Sequence, residues 1–208
     1  MATTIQEYAA EIGVKQLVHF TRESNLESIL KRGIVTRDIL AREAFDSFND
    51  NVRADRTNAV CVSIGFPNYK MWWGIRKDNP NVDWVILVIE QRALWELPCA
   101  FCSANAALGS VAAIPIAQRQ TLQAFQGMYA EILGKERTKL EIPQYWPTNP
   151  QAEVLMLQGV PRDYIRGVVT LNVSQQLRIN KKYPGLKVGV QAGYFRYRKD
   201  YEFWKAGA

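Results

Sequence analysis

The 208-residue chain is 48% hydrophobic, enough for one domain with a sizeable core. No run approaches the roughly 18 apolar residues of a membrane span, and the opening MATTIQEYAAEIG lacks the basic-then-apolar design of a signal peptide. Three cysteines, an odd number, argue against a disulfide framework and for a reducing cytoplasm. The net charge of +6 is uneven: from Arg166 onward nine Lys/Arg face two Asp/Glu, whereas the preceding part has seventeen against eighteen. Such an excess points to a polyanion, nucleic acid first, with a solvated basic surface as the bland alternative.

The stretch LVHFTRESNLESILKRGIV, Leu17 to Val35, reads as strand, polar turn, helix and glycine stop, and it carries the only histidine. Alternation sends His19 and Thr21 to one face of the strand and Val18 and Phe20 to the other. Ser24 followed by Glu27 is a capping-box pattern, so a helix is expected from about Asn25, with Leu26, Ile29 and Leu30 on its apolar face. Gly33 should end it in a left-handed conformation. A lone histidine at a strand end is most often a structural hydrogen-bonder.

The following segment, NDNVRADR, is turn-like and polar. It holds Arg53 and Arg56, suited to a forked grip on phosphate or carboxylate but equally at home in a solvated loop. AVCVSIGF (59–66) is a buried strand that ends at Pro67. After it Tyr69, Trp72 and Trp73 serve either as core or as a face for a planar ligand. VDWVILVIE (82–90) is the most continuous apolar run and should be a central strand. Cys99 and Cys102 form a C-x-x-C that reads as structural, because only Cys61 and His19 remain to complete a zinc site. Helical spacing runs from Gln118 to Leu133. The proline-punctuated KERTKLEIPQYWPTNP then carries Tyr145 and Trp146, and a loop with exposed aromatics between basic residues suits base stacking. In QAEVLMLQGVP, Val154 and Met156 face one side and Glu153, Leu155 and Leu157 the other. A glutamate leading an apolar strand is the most anomalous residue in the chain. GVVTL (167–171) is a further strand, NVSQQLRINKK a weak helix, and LKVGV with YFRYR a final hairpin. The irregular mixture of strands and helices favours an α+β fold.

Three separated stretches resemble one known family: VHFTRESNLESILKRGI, then NDNVRADRTNAVCVSIGFPNYKM with the later WELPCAFC, then YWPTNPQAEVLMLQGVP. They resemble the DarT family, toxins that ADP-ribosylate DNA bases using NAD, and YFRYRKDYEFW is similar to that family's ending. The resemblance implies a single domain over residues 1–208 with the ADP-ribosyltransferase fold, a split, mainly antiparallel β-sheet with flanking helices. By the same resemblance His19 and Thr21, as H-x-T, hold NAD, with Asn25, Gly33, Ile34 and Tyr69 lining the same pocket. Arg53, in N-D-x-x-R-x-D, contacts NAD and assists base deprotonation, and Glu153, in P-Q-A-E-V-L, is the catalytic glutamate. The implied acceptor is thymine N3 in single-stranded DNA, which the sequence reading tracks along Tyr145, Trp146, Arg56, Lys181, Lys182 and Arg196, with Arg198 in the same basic region. NAD is the co-substrate, no metal is needed, and the implied partner is a DarG-like macrodomain antitoxin. Two other readings compete: a transferase of the same fold acting on RNA or protein, and a non-catalytic single-strand-binding module. The latter leaves Glu153 and the His19/Thr21 pair without a task.

Overall fold

The computed structural model describes residues 2–42 and 58–205. Among these, seven strands form one sheet in the order β4-β5-β2-β1-β3-β6-β7. The strands are β1 (Leu17–Arg22), β2 (Val60–Ile64), β3 (Trp84–Ile89), β4 (Cys99–Cys102), β5 (Glu153–Met156), β6 (Ile165–Thr170) and β7 (Val188–Val190). All neighbours pair antiparallel except β6 and β7. The helices flanking them include α1 (Ile5–Glu11), α2 (Leu26–Arg32), α3 (Tyr69–Asp78), α4 (Leu122–Gly127) and α5 (Val173–Lys182).

The sheet is nearly divided at its middle. β1 pairs with β3 at six positions, from Leu17↔Ile89 to Arg22↔Trp84, but with β2 at only two, Leu17↔Ile64 and Val18↔Ser63. Beyond Val18 the two strands part, and β2 continues its pairing with β5 instead. The packing follows this division. On the first face a continuous core of Leu17, Val85, Leu87, Val62, Val154 and Met156 spans both halves and receives Leu26, Ile29 and Phe125 from the helices. On the second face there are two separate clusters. One gathers Val18, Ile86, Trp72 and Phe195 over the β1/β3 half, and the other Ala100, Cys102, Val111 and Leu155 over the β4/β5 half. Apolar burial stabilises each side chain by roughly 1.5–3 kcal/mol, so the gap between the second-face clusters is where polar groups can be buried without displacing a core residue.

Three expectations are corrected. The Ser24/Glu27 capping box does not form: Glu23–Asn25 is a tight 3-10 turn and α2 starts at Leu26 with Asn25 as its cap residue. The Asn25 amide instead donates to Thr21 Oγ1 at 3.0 Å. The continuous helix over 118–133 is replaced by two short ones, Ile116–Arg119 and α4, the latter capped by Thr121. Leu133 is 98% exposed, so the periodicity past Tyr129 faced no core. The final hairpin is absent as well. β7 runs parallel to β6, and Ala192–Phe195 is a 3-10 turn that inserts both Tyr194 and Phe195 into the second-face cluster. A strand would have sent one of the two outward.

The C-terminal segment is tied down by a buried ion pair. Arg198 and Asp200 are 3% and 1% exposed, with Arg198 Nε donating to Asp200 Oδ1 at 2.7 Å. Trp204 Nε1 donates to the same carboxylate at 2.9 Å. The other two guanidinium nitrogens of Arg198 donate to the carbonyls of Pro147 and Thr148, both at 2.8 Å. Arg198→Met should therefore cost about 3–5 kcal/mol in urea denaturation, because it leaves Asp200 charged and buried. Arg198→Met with Asp200→Leu should cost less than the single substitution.

Candidate functional site

His19 projects where β1 and β2 part. Its partners across β1/β3, Leu87 for His19 and Val85 for Thr21, belong to the first-face core, so both side chains leave on that face. The ring is half-buried, and Nδ1–H donates to the Cys61 carbonyl of β2 at 2.8 Å. That bond requires the proton on Nδ1 and makes Nε2 the acceptor nitrogen. Burial lowers the imidazole below its ordinary range, so it is neutral near pH 7. Thr21 is buried and accepts from Asn25, giving a hydroxyl, an amide and an imidazole in one short stretch of β1 and α2.

Glu153 opens β5, one strand beyond β2. It pairs with Cys102, whose side chain belongs to a second-face cluster, so the glutamate lies on that face. It is only 4% exposed. Asn68 Nδ2 donates to Oε1 at 3.1 Å and the backbone N–H of Ala106 to Oε2 at 2.9 Å. Each oxygen thus meets a donor, as an acceptor-only carboxylate requires when buried. Asn68 is itself 1% exposed. Its backbone N–H donates to Ser63 Oγ at 3.2 Å, and its side-chain oxygen caps α3 at Met71. Ser63, Asn68 and Glu153 therefore form a polar seam between the two second-face clusters. His19 and Glu153 thus leave the sheet on opposite faces, with β2 between their two strands.

The loop entering β5 is strapped by two arginines. Arg137 donates to the carbonyls of Trp146 (2.9 Å) and Gln144 (2.9 Å) and to Thr148 Oγ1 (3.0 Å), while Arg198 holds the next two carbonyls. Tyr145 and Trp146 are half-buried rather than exposed. They lie against Gly65, immediately after β2, where an added Cβ would come within 2.7 Å of the indole. Gly65 also has φ +74, so glycine is needed there on both counts. The Trp146 Nε1–H is buried without a partner among the described residues.

The remaining expected site residues are dispersed. Gly33 (φ +84) and Ile34 abut the 159–162 turn: Ile34 and Val160 exchange two backbone hydrogen bonds of 2.8 Å, and a Cβ on Gly33 would collide with the Val160 carbonyl. Tyr69 is 3% exposed, edge-on to Tyr197 and Tyr201, and burial followed by the Asp200 charge raises its phenol well above the ordinary range. Lys181 and Lys182 end α5 in solvent. The Lys182 ammonium is held up first by Tyr183, then by the carboxylates of Glu27 and Glu23. Arg196 is exposed beside α3, among the residues around Trp73, and Arg198 is removed from the basic surface altogether by its burial. The four do not form one basic track. Arg53 and Arg56 lie outside the described residues. Sequence reasoning missed Asn68, Ala106 and the Arg137/Arg198 straps. Of these, only Asn68, following Pro67 just ahead of a helical run, carried a local signal, that of an N-cap.

Cys99 and Cys102 are buried free thiols, and burial pushes Cys99 up to about 12. No group of three or more metal-ligating side chains occurs among the described residues. No helix among them is long and apolar enough to cross a membrane.

A sheet parted at its centre, with a buried glutamate on one half and an imidazole on the other, has the architecture of the ADP-ribosyltransferase fold, and similar solved structures share it. DarT of Thermus sp. 2.9 in complex with NAD+ superposes with TM-score 0.51 and 15% identity over 88% of this chain and 98% of that one. The same protein in complex with ADP-ribosylated ssDNA gives 0.56 and 15% over 88% and 97%. Thermosipho africanus DarTG in complex with ADP-ribose gives 0.55 and 14% over 87% of this chain, which spans about half (51%) of that one. No curated protein matches in sequence. The family model described as "ssDNA thymidine ADP-ribosyltransferase, DarT" matches residues 18–197, and the chain belongs to that family.

The neutral His19 has a consequence for stability. The unfolded chain protonates this residue from about pH 6.5 downward, whereas the folded protein resists until a lower pH. The unfolded state then binds more protons, so stability is full above about pH 6.5 and declines as pH falls toward the folded value. Urea unfolding at about pH 7.5 and about pH 5.5 should show this loss, and His19→Asn should reduce it.

Proposed function

We propose that this protein transfers ADP-ribose from NAD to thymine N3 in single-stranded DNA, with Glu153 as the catalytic carboxylate. The observation carrying this reading is the Glu153 carboxylate, buried beside the parting of β1 and β2 and held by Asn68 and the Ala106 amide. The donor and acceptor set fits the dinucleotide. His19, Thr21 and Asn25 offer groups that bind ribose hydroxyls, and the carboxylate suits the cationic nicotinamide–ribose end. Gly33 and Ile34 would bound the pocket through their backbone and Tyr69 from beneath α3, while Arg53 would contact the dinucleotide.

NAD supplies the ADP-ribosyl group on a glycosidic bond to nicotinamide. That bond breaks, N3 of thymine bonds to the ribose C1′, nicotinamide departs, and the N3 proton leaves. Glu153, hydrogen-bonded to the ribose 2′-hydroxyl, stabilises the positive charge that grows on the sugar, and does so in a site where water does not screen it. Its own orientation is preset by Asn68, so little reorganisation accompanies the reaction. The N3 proton goes to a positioned base, Glu153 or a group assisted by Arg53. Duplex pairing hides N3, which is why the substrate is single-stranded or flipped. Tyr145 and Trp146, on the strapped loop beside Gly65, supply the aromatic wall for that base, with Arg56 toward its phosphates and Arg196 toward phosphates farther along the strand.

The 208 residues act as one transferase unit. Its partner is an antitoxin like the DarG portion of the similar Thermosipho DarTG, and its compartment is the cytoplasm, where three free cysteines remain reduced. In the test, the protein is incubated with NAD and a thymine-containing single-stranded oligonucleotide, and the product is read by mass spectrometry. Glu153→Gln should reduce the adduct by about 10²–10³-fold, on the scale of removing one transition-state-stabilising group, while a single cooperative melt shows the variant folded, at a somewhat lower temperature because the new amide N–H faces a buried donor. Undiminished labelling by the variant removes Glu153 from its role, and labelling of RNA or protein in preference to DNA replaces the acceptor.

A further inference from the structure

We propose that the groove between α3, the start of α5 and the Ala192–Phe195 turn binds the stretch of single-stranded DNA that flanks the modified base. This rests on the reading above for the identity of the substrate, and it adds a second contact region away from Glu153.

The groove encloses about 800 Å³, the scale of a site for a ligand of several rings. Two large aromatic side chains on its wall are left open: Trp73 is 50% exposed and Tyr197 44%. Each is backed by another group. The Lys77 ammonium sits 5.3 Å from the Trp73 ring centroid, and Tyr197 stacks on Tyr201 at 4.0 Å with planes 9° apart. The lining cations are Arg76, Lys77, Arg178 and Arg196, against one lining carboxylate, Asp83. Asp83 is already engaged by Arg178, as is Glu23. Arg76 is spent on Trp72 and the Phe195 carbonyl. Lys77 and Arg196 have no carboxylate partner among the described residues.

Open rings with adjacent unpaired cations match a single strand of nucleic acid, whose unstacked bases pack on rings while its phosphates follow the charge. A duplex has no free base faces to offer, and an acidic peptide would use the cations but leave the rings idle. The groove also adjoins the reactive centre. Tyr69, on its wall, is the chain neighbour of Asn68, which holds Glu153. Tyr69 touches Tyr197 and Tyr201, which flank the arginine that fixes the loop before Glu153. The groove is thus tied through packed neighbours to the residues that hold Glu153.

The test measures fluorescence anisotropy without NAD, using a labelled 20-nucleotide single strand and a 4-nucleotide strand centred on thymine. The triple variant Trp73→Ala, Lys77→Ala, Arg196→Ala should bind the longer strand about tenfold or more weakly, the scale of one lost base stack. Its slope of log affinity against log salt should flatten by about 1.4, roughly 0.7 for each of two phosphate contacts, and affinity for the short strand should change by less than about twofold. Unchanged affinity and slope for the longer strand, or equal losses for both lengths, overturn the proposal. So does displacement of the longer strand from the wild type by polyglutamate as readily as by unlabelled DNA. A wild type that binds DNA through these residues but never modifies it defeats the functional reading alone. One that modifies DNA while the variant binds the longer strand normally defeats the groove alone.

Discussion

A carboxylate kept almost wholly out of water is the constraint around which this molecule is arranged. An isolated buried charge costs far more than any single contact returns, so Glu153 can exist only where donors are brought to it from elsewhere in the chain. They come from the cap of α3 and from the backbone at Ala106. Neither donor would be in place if the sheet were evenly packed. The separation of the second-face core into two clusters leaves the seam in which Ser63, Asn68 and Glu153 meet. Where β1 parts from β2, His19 on the other face bridges the two strands through its bond to the Cys61 carbonyl. The burial of the carboxylate and the seam that holds it thus have one origin, a second-face core that does not close across its middle.

The basic excess of the C-terminal fifth divides into two uses. Arg198 is an internal brace, paired with Asp200 and holding the loop carbonyls. Arg178 is absorbed by Glu23 and Asp83. Only part of the surplus, Arg196 among it, faces solvent for a polyanion. Net charge therefore overstates the surface available to nucleic acid, and position within the fold decides which cations count.

Much of the framework was legible from residue patterns. The apolar runs at 59–66, 82–90 and 167–171 became β2, β3 and β6 because burial on both sides leaves a continuous signal. Alternation correctly placed His19 with Thr21, and Glu153 with Leu155. Failures arose where long-range contacts overrode local pattern. Asn25 turned its amide to Thr21 instead of forming the expected box. The 118–133 periodicity was cut short where the Met128 carbonyl accepted from Thr148. YFRYR alternated like a strand, yet its first two aromatics sank together against Phe66 and Trp72. The partners of Glu153 were illegible for a similar reason: Asn68 lies 85 residues away and Ala106 47.

The brace at Arg198 also bears on the order of synthesis. A ribosome delivers Glu153 some fifty residues before Trp204, and until the later segment emerges the loop ahead of the carboxylate lacks one of its two clamps. A nascent or cleaved polypeptide ending between these points would carry His19 and Glu153 yet present the loop between them on an unfastened frame. Such late assembly leaves the loop before Glu153 incompletely fastened until the segment through Trp204 has been made.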